Sequence, residues 1–245
     1  MPRFFIDKNS IENNSVTITG DDAKHISRVL RMKEGEKLTL CDGAGYDYEA
    51  VIARIDKNSV SADILSAAEN VTEPNIDITL IQALPKSGKM EYIIQKCTEL
   101  GISKIIPCIM DRCVVKLNGE SDAKKKTERY RSIALAAAKQ SGRGVIPQIL
   151  APVSFDEALD VLKQCDLAFV PYENENGVTL KDIFVSAKDV GSMAFIIGPE
   201  GGISDLEAEK IHACGISTVT LGKRILRTET ASTAVLSMIN YEFLL

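Results

Sequence analysis

The chain has 245 residues, 45% of them hydrophobic and 26% charged, the profile of a folded globular protein with room for one large domain or two ordinary ones. Its formal net charge of −5 excludes a general nucleic-acid coat protein and leaves any affinity for RNA or DNA to local patches. The opening Met1-Pro-Arg-Phe-Phe-Ile-Asp7 offers too few apolar residues for a signal-peptide core. No apolar run approaches the roughly eighteen residues of a spanning helix, so a cytoplasmic protein without membrane contact is expected. The six cysteines form no C-x-x-C pair, and Cys108 and Cys113 have no His or Cys at a zinc-ligand spacing. Reduced thiols and no metal are expected.

Residues 1–70 read as a small β-rich unit. Thr19-Gly-Asp-Asp22 opens a short helix with Ala23, Ile26, Val29 and Leu30 on one face. Strand-like runs follow at 37–41, 46–55 and 59–65, split by Asp42-Gly-Ala-Gly45 and Asp56-Lys-Asn58. That spacing suits a compact barrel. The polar stretch 67–75, with Pro74, is the connector, and 71–75 its linker.

From residue 76 to 245 strands alternate with helices. A strand at 76–84 precedes a helix at 89–100 with Met90, Ile93, Ile94, Cys97 and Leu100 on one face and Gly101 as its stop. After the apolar run 102–110, Ser154 and Glu157 form a capping box for a helix reaching Lys163. Buried runs at 167–170 and 193–197, a second capping box at Ser204 and Glu207, and a strand at 216–221 follow. Thr228 opens a C-terminal helix carrying Ala231, Val235, Met238 and Ile239. Near-continuous apolar strands alternating with helices imply an α/β fold whose parallel sheet is covered on both faces. The last helix carries more apolar residues than one face needs and ends in Phe243-Leu-Leu245, which points to a homodimer.

Two patches are basic. Residues 124–143 hold seven Lys or Arg against one acid, Glu128, and Lys24, Arg28, Arg31 and Lys33 have no acid between Ala23 and Lys33. Each is either a solvated helix face or a grip on phosphates.

Two loops at strand ends are the candidates for chemistry. Ile196-Ile-Gly-Pro-Glu-Gly-Gly202 puts three glycines and one carboxylate, Glu200, between a strand and the Ser204 cap. Either its backbone lets a ligand approach, or it is a tight turn and nothing more. The second loop, Thr220-Leu-Gly-Lys-Arg-Ile-Leu-Arg-Thr-Glu-Thr230, carries three cations into a helix N-terminus. Thr228 and Glu229 there are explicable as a cap and a first-turn acid. Arg227 beside the positive helix end is not, and a polar ligand accounts for it better. Lys86-Ser-Gly-Lys89 lacks the glycine and the hydroxyl of a P-loop, Gly43-Ala-Gly45 lacks the third glycine of a dinucleotide fold, and there is no G-x-S-x-G elbow. His212 reads as a surface residue and His25 as a candidate for RNA contact.

Residues 198–202 (Gly-Pro-Glu-Gly-Gly) and 221–231 (Leu-Gly-Lys-Arg-Ile-Leu-Arg-Thr-Glu-Thr-Ala) resemble the signatures of the small-subunit rRNA (uracil-N3) methyltransferases of the SPOUT superfamily. Arg3-Phe-Phe5, His25 with Val29-Leu-Arg31, Gln82 with Lys86, Gln95-Lys96 with Glu99-Leu-Gly101, and 137–143 are also similar to that family. The resemblance implies a PUA-like β-barrel at the N-terminus, then an α/β domain with a deep C-terminal trefoil knot, working as a homodimer on 16S rRNA of the small ribosomal subunit. It implies S-adenosylmethionine as cofactor, held by Val170, Pro171, Tyr172 and Glu173, by Ile197, Gly198, Pro199, Glu200 and Gly201, and by Leu221, Gly222, Ile225, Leu226, Thr228, Thr230 and Ala231. Arg227 would stabilise charge on the uracil, with Glu200 or a partner's carboxylate as a base. Arg3, Lys24, His25, Arg28, Arg31, Lys86, Lys125, Arg129, Gln140 and Arg143 would contact RNA. Competing readings are a SPOUT enzyme acting on tRNA or on a ribose 2′-hydroxyl, and a non-catalytic ribosome assembly factor.

Overall fold

Alternating apolar and polar positions over the N-terminal segment build a six-stranded sheet in the computed structural model, which describes residues 1–187 and 189–244. The chain divides into two units, residues 1–73 with 138–146, and residues 74–137 with 147 onward.

The first unit contains β1 (Arg3–Phe5), β2 (Ile11–Glu12), β3 (Ser15–Thr19), α1 (Gly20–Lys24), β4 (Lys37–Cys41), β5 (Tyr46–Ile55) and β6 (Ser59–Glu69). The strands lie in the order β1-β4-β5-β6-β3-β2, with β1 parallel to β4 and the other ladders antiparallel. Val16 and Ile18 of β3 point inward between exposed threonines and join Leu38, Leu40, Ala50, Ile52, Val60 and Ala62 in one core. β6 runs four residues beyond the expected end at 65, into the stretch read as connector. The helix at 20 also departs from expectation. After α1 the chain makes a five-residue π turn, His25–Val29. Ala23 and Ile26 are buried, but the wider turn rotates Val29 and Leu30 outward, 67% and 40% exposed.

The second unit is a seven-stranded parallel sheet of β7 (Asp77–Ala83), β8 (Lys104–Ile109), β9 (Gln148–Ile149), β10 (Val153–Ser154), β11 (Leu167–Pro171), β12 (Ser192–Ile197) and β13 (Ser217–Val219). Its order is β10-β8-β7-β12-β11-β13, with β9 beside β8. The helices are α2 (Lys89–Glu99), α3 (Glu120–Ser141), α4 (Phe155–Leu162), α5 (Leu180–Ser186), α6 (Asp205–Ala213) and α7 (Thr228–Phe243). The last turn of α3 counts with the first unit.

Both faces of the sheet are covered, which explains the unbroken apolar strands. Met193, Phe195 and Ile197 of β12 enter a core with α2, α5 and α7, while Ala194 and Ile196 enter a second core with α4 and α6. Both expected capping boxes form, at Ser154–Glu157 and Ser204–Glu207. A third, Thr179–Asp182, opens α5, which the sequence reading missed because Asp stands where Glu or Gln is usual.

At the C-terminus Phe243 meets Phe184 edge-to-face at 5.1 Å and Leu244 packs on the core. For Phe243 and Leu244 this corrects the expectation that the chain end lies bare without a second protomer, since the chain's own core covers part of both; Leu245 falls outside the described residues. Among the described residues no helix is long and apolar enough to cross a membrane. All six cysteines are free, and burial pushes Cys41, Cys97 and Cys108 up to about 12, which makes them inert thiols.

Candidate active site

Ligands of parallel sheets sit beyond the carboxyl ends of the strands. The loops leaving β11, β12 and β13 there enclose a cleft of about 600 Å³, within the range of small-molecule sites. Its wall includes Pro171, Tyr172 and Glu173 after β11, residues 197–203 after β12, and residues 220–228 with Ala231 after β13. The sequence therefore brings together nearly the whole expected cofactor set. Two members stand apart from the wall. Val170 is fully buried in the core, and Thr230 is exposed on the first turn of α7, its amide donating to the Arg227 carbonyl at 2.9 Å.

The glycines of the β12 loop have partners within the protein. A Cβ on Gly198 would come 3.1 Å from Ile203 Cγ1, and one on Gly201 would come 3.0 Å from Arg112 Cβ. Gly202 adopts φ +73°, and its Cα faces the Glu173 carboxylate so closely that no side chain fits without moving it. Arg112 also donates to the Gly201 carbonyl at 3.1 Å. Of the two readings of these glycines, ligand approach and tight turn, the second applies at each position, because each closes the loop on a protein group.

A buried polar chain fixes this loop to α7. Gln82 at the end of β7, fully buried, donates from Nε2 to Thr228 Oγ1 at 2.9 Å and accepts from Ser232 Oγ at 2.6 Å. The Thr228 hydroxyl in turn donates to the Gly198 carbonyl at 2.8 Å. Thr228 is therefore not the helix cap. Arg227 occupies that position, at φ −68° and ψ 152°, without a side-chain cap bond.

Glu200 is held by a cation that sequence reading passed over. Lys89 Nζ lies 3.0 Å from Glu200 Oε1 and 3.2 Å from Glu229 Oε2, and the Lys86 amide also donates to Glu200. Burial raises the Glu200 pKa, but the bonds from Lys89 and from backbone amides outweigh it and hold the carboxyl below its usual value. A carboxylate so engaged anchors its loop and is a poor proton acceptor near neutral pH.

Glu175 organises the β11 loop. It accepts from the Thr218 hydroxyl at 2.6 Å and from the amides of Gly177 and Val178 at 2.7 and 3.2 Å. These bonds pull its carboxyl from 4.5 to about 2. The folded pKa is depressed, so the stabilisation is complete above the unfolded value and is lost as pH falls toward 2. In urea titrations the midpoint difference between wild type and Glu175→Gln is expected to hold constant above pH 5 and shrink toward zero near pH 2. A difference independent of pH would detach the loop from this carboxylate.

Arg227 is exposed on the cleft wall, and its guanidinium has no ion-pair or hydrogen-bond partner among the described residues. Lys24, His25, Arg28, Arg31, Lys86, Lys125, Arg129 and Gln140 are exposed as expected, although Lys24 pairs with Asp21 and Arg129 with Glu91. Two of the expected RNA contacts are corrected. Arg143 is 3% exposed and ion-paired to Glu73. Arg3 makes a two-pronged pair with Asp47 at 2.8 and 2.7 Å and is largely buried. Both spend their charge on carboxylates inside the first unit instead of presenting a free cation to a phosphate.

Comparison with known proteins agrees with this geometry. A family model described as RNA methyltransferase domain matches residues 72–240, and one described as RNA methyltransferase PUA domain matches residues 18–65. The chain is 37% identical to ribosomal RNA small subunit methyltransferase E of Bacillus subtilis (strain 168), over 99% of its own length and 97% of the relative's. It is 32% identical to the protein of that name from Mesomycoplasma hyopneumoniae (strain 232), over 97% and 98%. The crystal structure of ribosomal RNA small subunit methyltransferase E from Neisseria gonorrhoeae bound to S-adenosyl methionine superposes with a TM-score of 0.86 at 34% identity, covering 98% of this chain and 97% of that one. With nearly full-length likeness and both family models in place, the chain belongs to the ribosomal RNA small subunit methyltransferase E family of RNA methyltransferases.

Proposed function

We propose that this enzyme methylates N3 of one uridine in 16S rRNA, using S-adenosylmethionine bound in the three-loop cleft. The observation that carries the reading is Arg227, whose guanidinium stands on the wall of a cofactor-sized cleft with no partner among the described residues. The lining suits the cofactor: the amides of Leu221, Ile225 and Leu226 have no hydrogen-bond partner among the described residues, and such amides can read the edge of an adenine. When bound, the cofactor supplies an electrophilic methyl group.

The chain's own residues do the rest. Uridine N3 becomes a good nucleophile as its proton passes to solvent water, and the charge that appears on O2 and O4 is stabilised by Arg227. Glu200 anchors its loop through Lys89 and the Lys86 amide rather than taking that proton. Fixing donor and acceptor in line can contribute roughly 7–11 kcal/mol. N3 lies on the pairing edge, so the target must be unpaired or splayed out. Exposed Lys24, Arg28, Arg31, Lys125 and Arg129 hold the RNA backbone.

The trefoil knot, the homodimer and a cytoplasmic location belong to the same proposal. The knot is what the resemblance of residues 198–202 and 221–231 implies, and the two loops it would entwine meet here, the Thr228 hydroxyl donating to Gly198 and α7 packing on α2 and β12. The dimer is supported by Tyr92, Met238 and Tyr241, which are 50%, 41% and 77% exposed on α2 and α7. Sedimentation at micromolar concentration is expected to give twice the 26.7 kDa chain mass; a monomer would remove the dimer.

Transfer of labelled methyl from S-adenosylmethionine to purified small subunits stripped of the modification tests the reaction. Label in a ribose 2′-hydroxyl, or in tRNA alone, would overturn the assignment.

A further inference from the structure

Two separate clasps join the loop after β12 to the first turn of α7. One is the buried chain Gln82–Thr228–Gly198. The other is ionic, with Lys89 between Glu200 and Glu229. Lys89 is the first residue of α2, where the helix dipole disfavours a cation, and Gly88 before it, at φ 66°, supplies no side-chain cap. The helix itself gains nothing from a lysine there. Glu229 Oε2 is buried without a hydrogen bond in good geometry, and the Lys89 ammonium 3.2 Å away is the cation that offsets its charge.

We propose that Lys89 is a positioning residue for methyl transfer, holding the Glu200 loop and the Arg227-bearing turn at one separation. This rests on the cleft being the cofactor site. Among the described residues Arg227 has no side-chain partner, so its placement is inherited from the backbone of this turn, which the ionic clasp grips two residues on, at Glu229. The three side chains are 26%, 25% and 18% exposed, so salt reaches the ionic clasp and not the buried one.

The test compares full-length wild type, Lys89→Ala and Lys89→Arg. Amide hydrogen exchange on the free protein needs no cofactor. Lys89→Ala is expected to speed exchange in both 198–202 and 228–231 while leaving the first unit unchanged. Calorimetry is expected to show S-adenosylmethionine affinity falling roughly tenfold, the scale of two partly exposed ion pairs. Lys89→Arg, which can still span both carboxylates, is expected to restore most of both. High salt is expected to weaken wild-type affinity and leave that of Lys89→Ala unmoved. Unchanged exchange and affinity in Lys89→Ala would overturn the proposal. So would an arginine variant as weak as the alanine one, since the ammonium would then be touching the ligand itself. Glu229→Gln cuts one arm only and stands in if Lys89→Ala does not fold; unchanged exchange there would equally overturn it. Wild type failing to bind S-adenosylmethionine would sink the cofactor assignment alone, leaving the exchange comparison to judge Lys89.

Discussion

Arg227→Ala is expected to lower the single-turnover methyl-transfer rate roughly 10²–10³-fold, the size seen for loss of one preorganised donor to developing charge. Affinity for RNA and for cofactor should change far less, because the stabilised charge exists only on the way to the transition state. Arg227 is exposed and makes no structural ion pair among the described residues, so its removal leaves no buried partner stranded and the fold should persist. Raising the pH is expected to recover part of the lost rate, since more uridine then arrives already ionised at N3. A deficit equal at every pH would mean that Arg227 positions substrate or cofactor instead.

Arg143→Ala is expected to act on stability, by about 3 kcal/mol in denaturant unfolding. Its guanidinium is 3% exposed and paired to Glu73, which also accepts from the amides of Gly144 and Val145 at 2.8 and 3.1 Å. Breaking a buried pair leaves one charge uncompensated, typically 3–5 kcal/mol, and the amides that remain on Glu73 keep the loss near the lower figure. The salt dependence of RNA binding by the folded variant should match wild type. Lys125→Ala, removing an exposed cation, should instead flatten that slope by about 0.7 and leave stability alone. A flattened slope in Arg143→Ala would return that residue to the RNA surface.

The contrast between these two cations shows what a sequence can and cannot disclose here. Charge counting found the basic stretch 124–143 but could not tell Lys125 from Arg143, because the partner of Arg143 lies seventy residues away at Glu73. Local signals transferred well. The capping boxes at Ser154 and Ser204, the stop at Gly101 and the apolar strands 193–197 and 167–170 depend on neighbours in the chain, and the structure has them. Gly198–Gly202 and 221–231 stood out for the same reason. The π turn at His25–Val29 has no comparable signature, and Val29 and Leu30 were misread as inward. Gln82, Lys89 and Arg112 were not read as parts of the site. Each acts on a loop more than eighty residues away, Gln82 and Lys89 through side chains and Arg112 through the Gly201 carbonyl. Only folding brings such pairs together.

The most direct measurement is nucleoside mass spectrometry of 16S rRNA from a strain lacking this gene, from one complemented with the wild-type chain, and from one complemented with Arg227→Ala. N3-methyluridine is expected to disappear in the first, return in the second and stay near absent in the third. Undiminished N3-methyluridine in the deletion strain, or loss of a different modified nucleoside in its place, would contradict uridine-N3 methylation as the function of this protein.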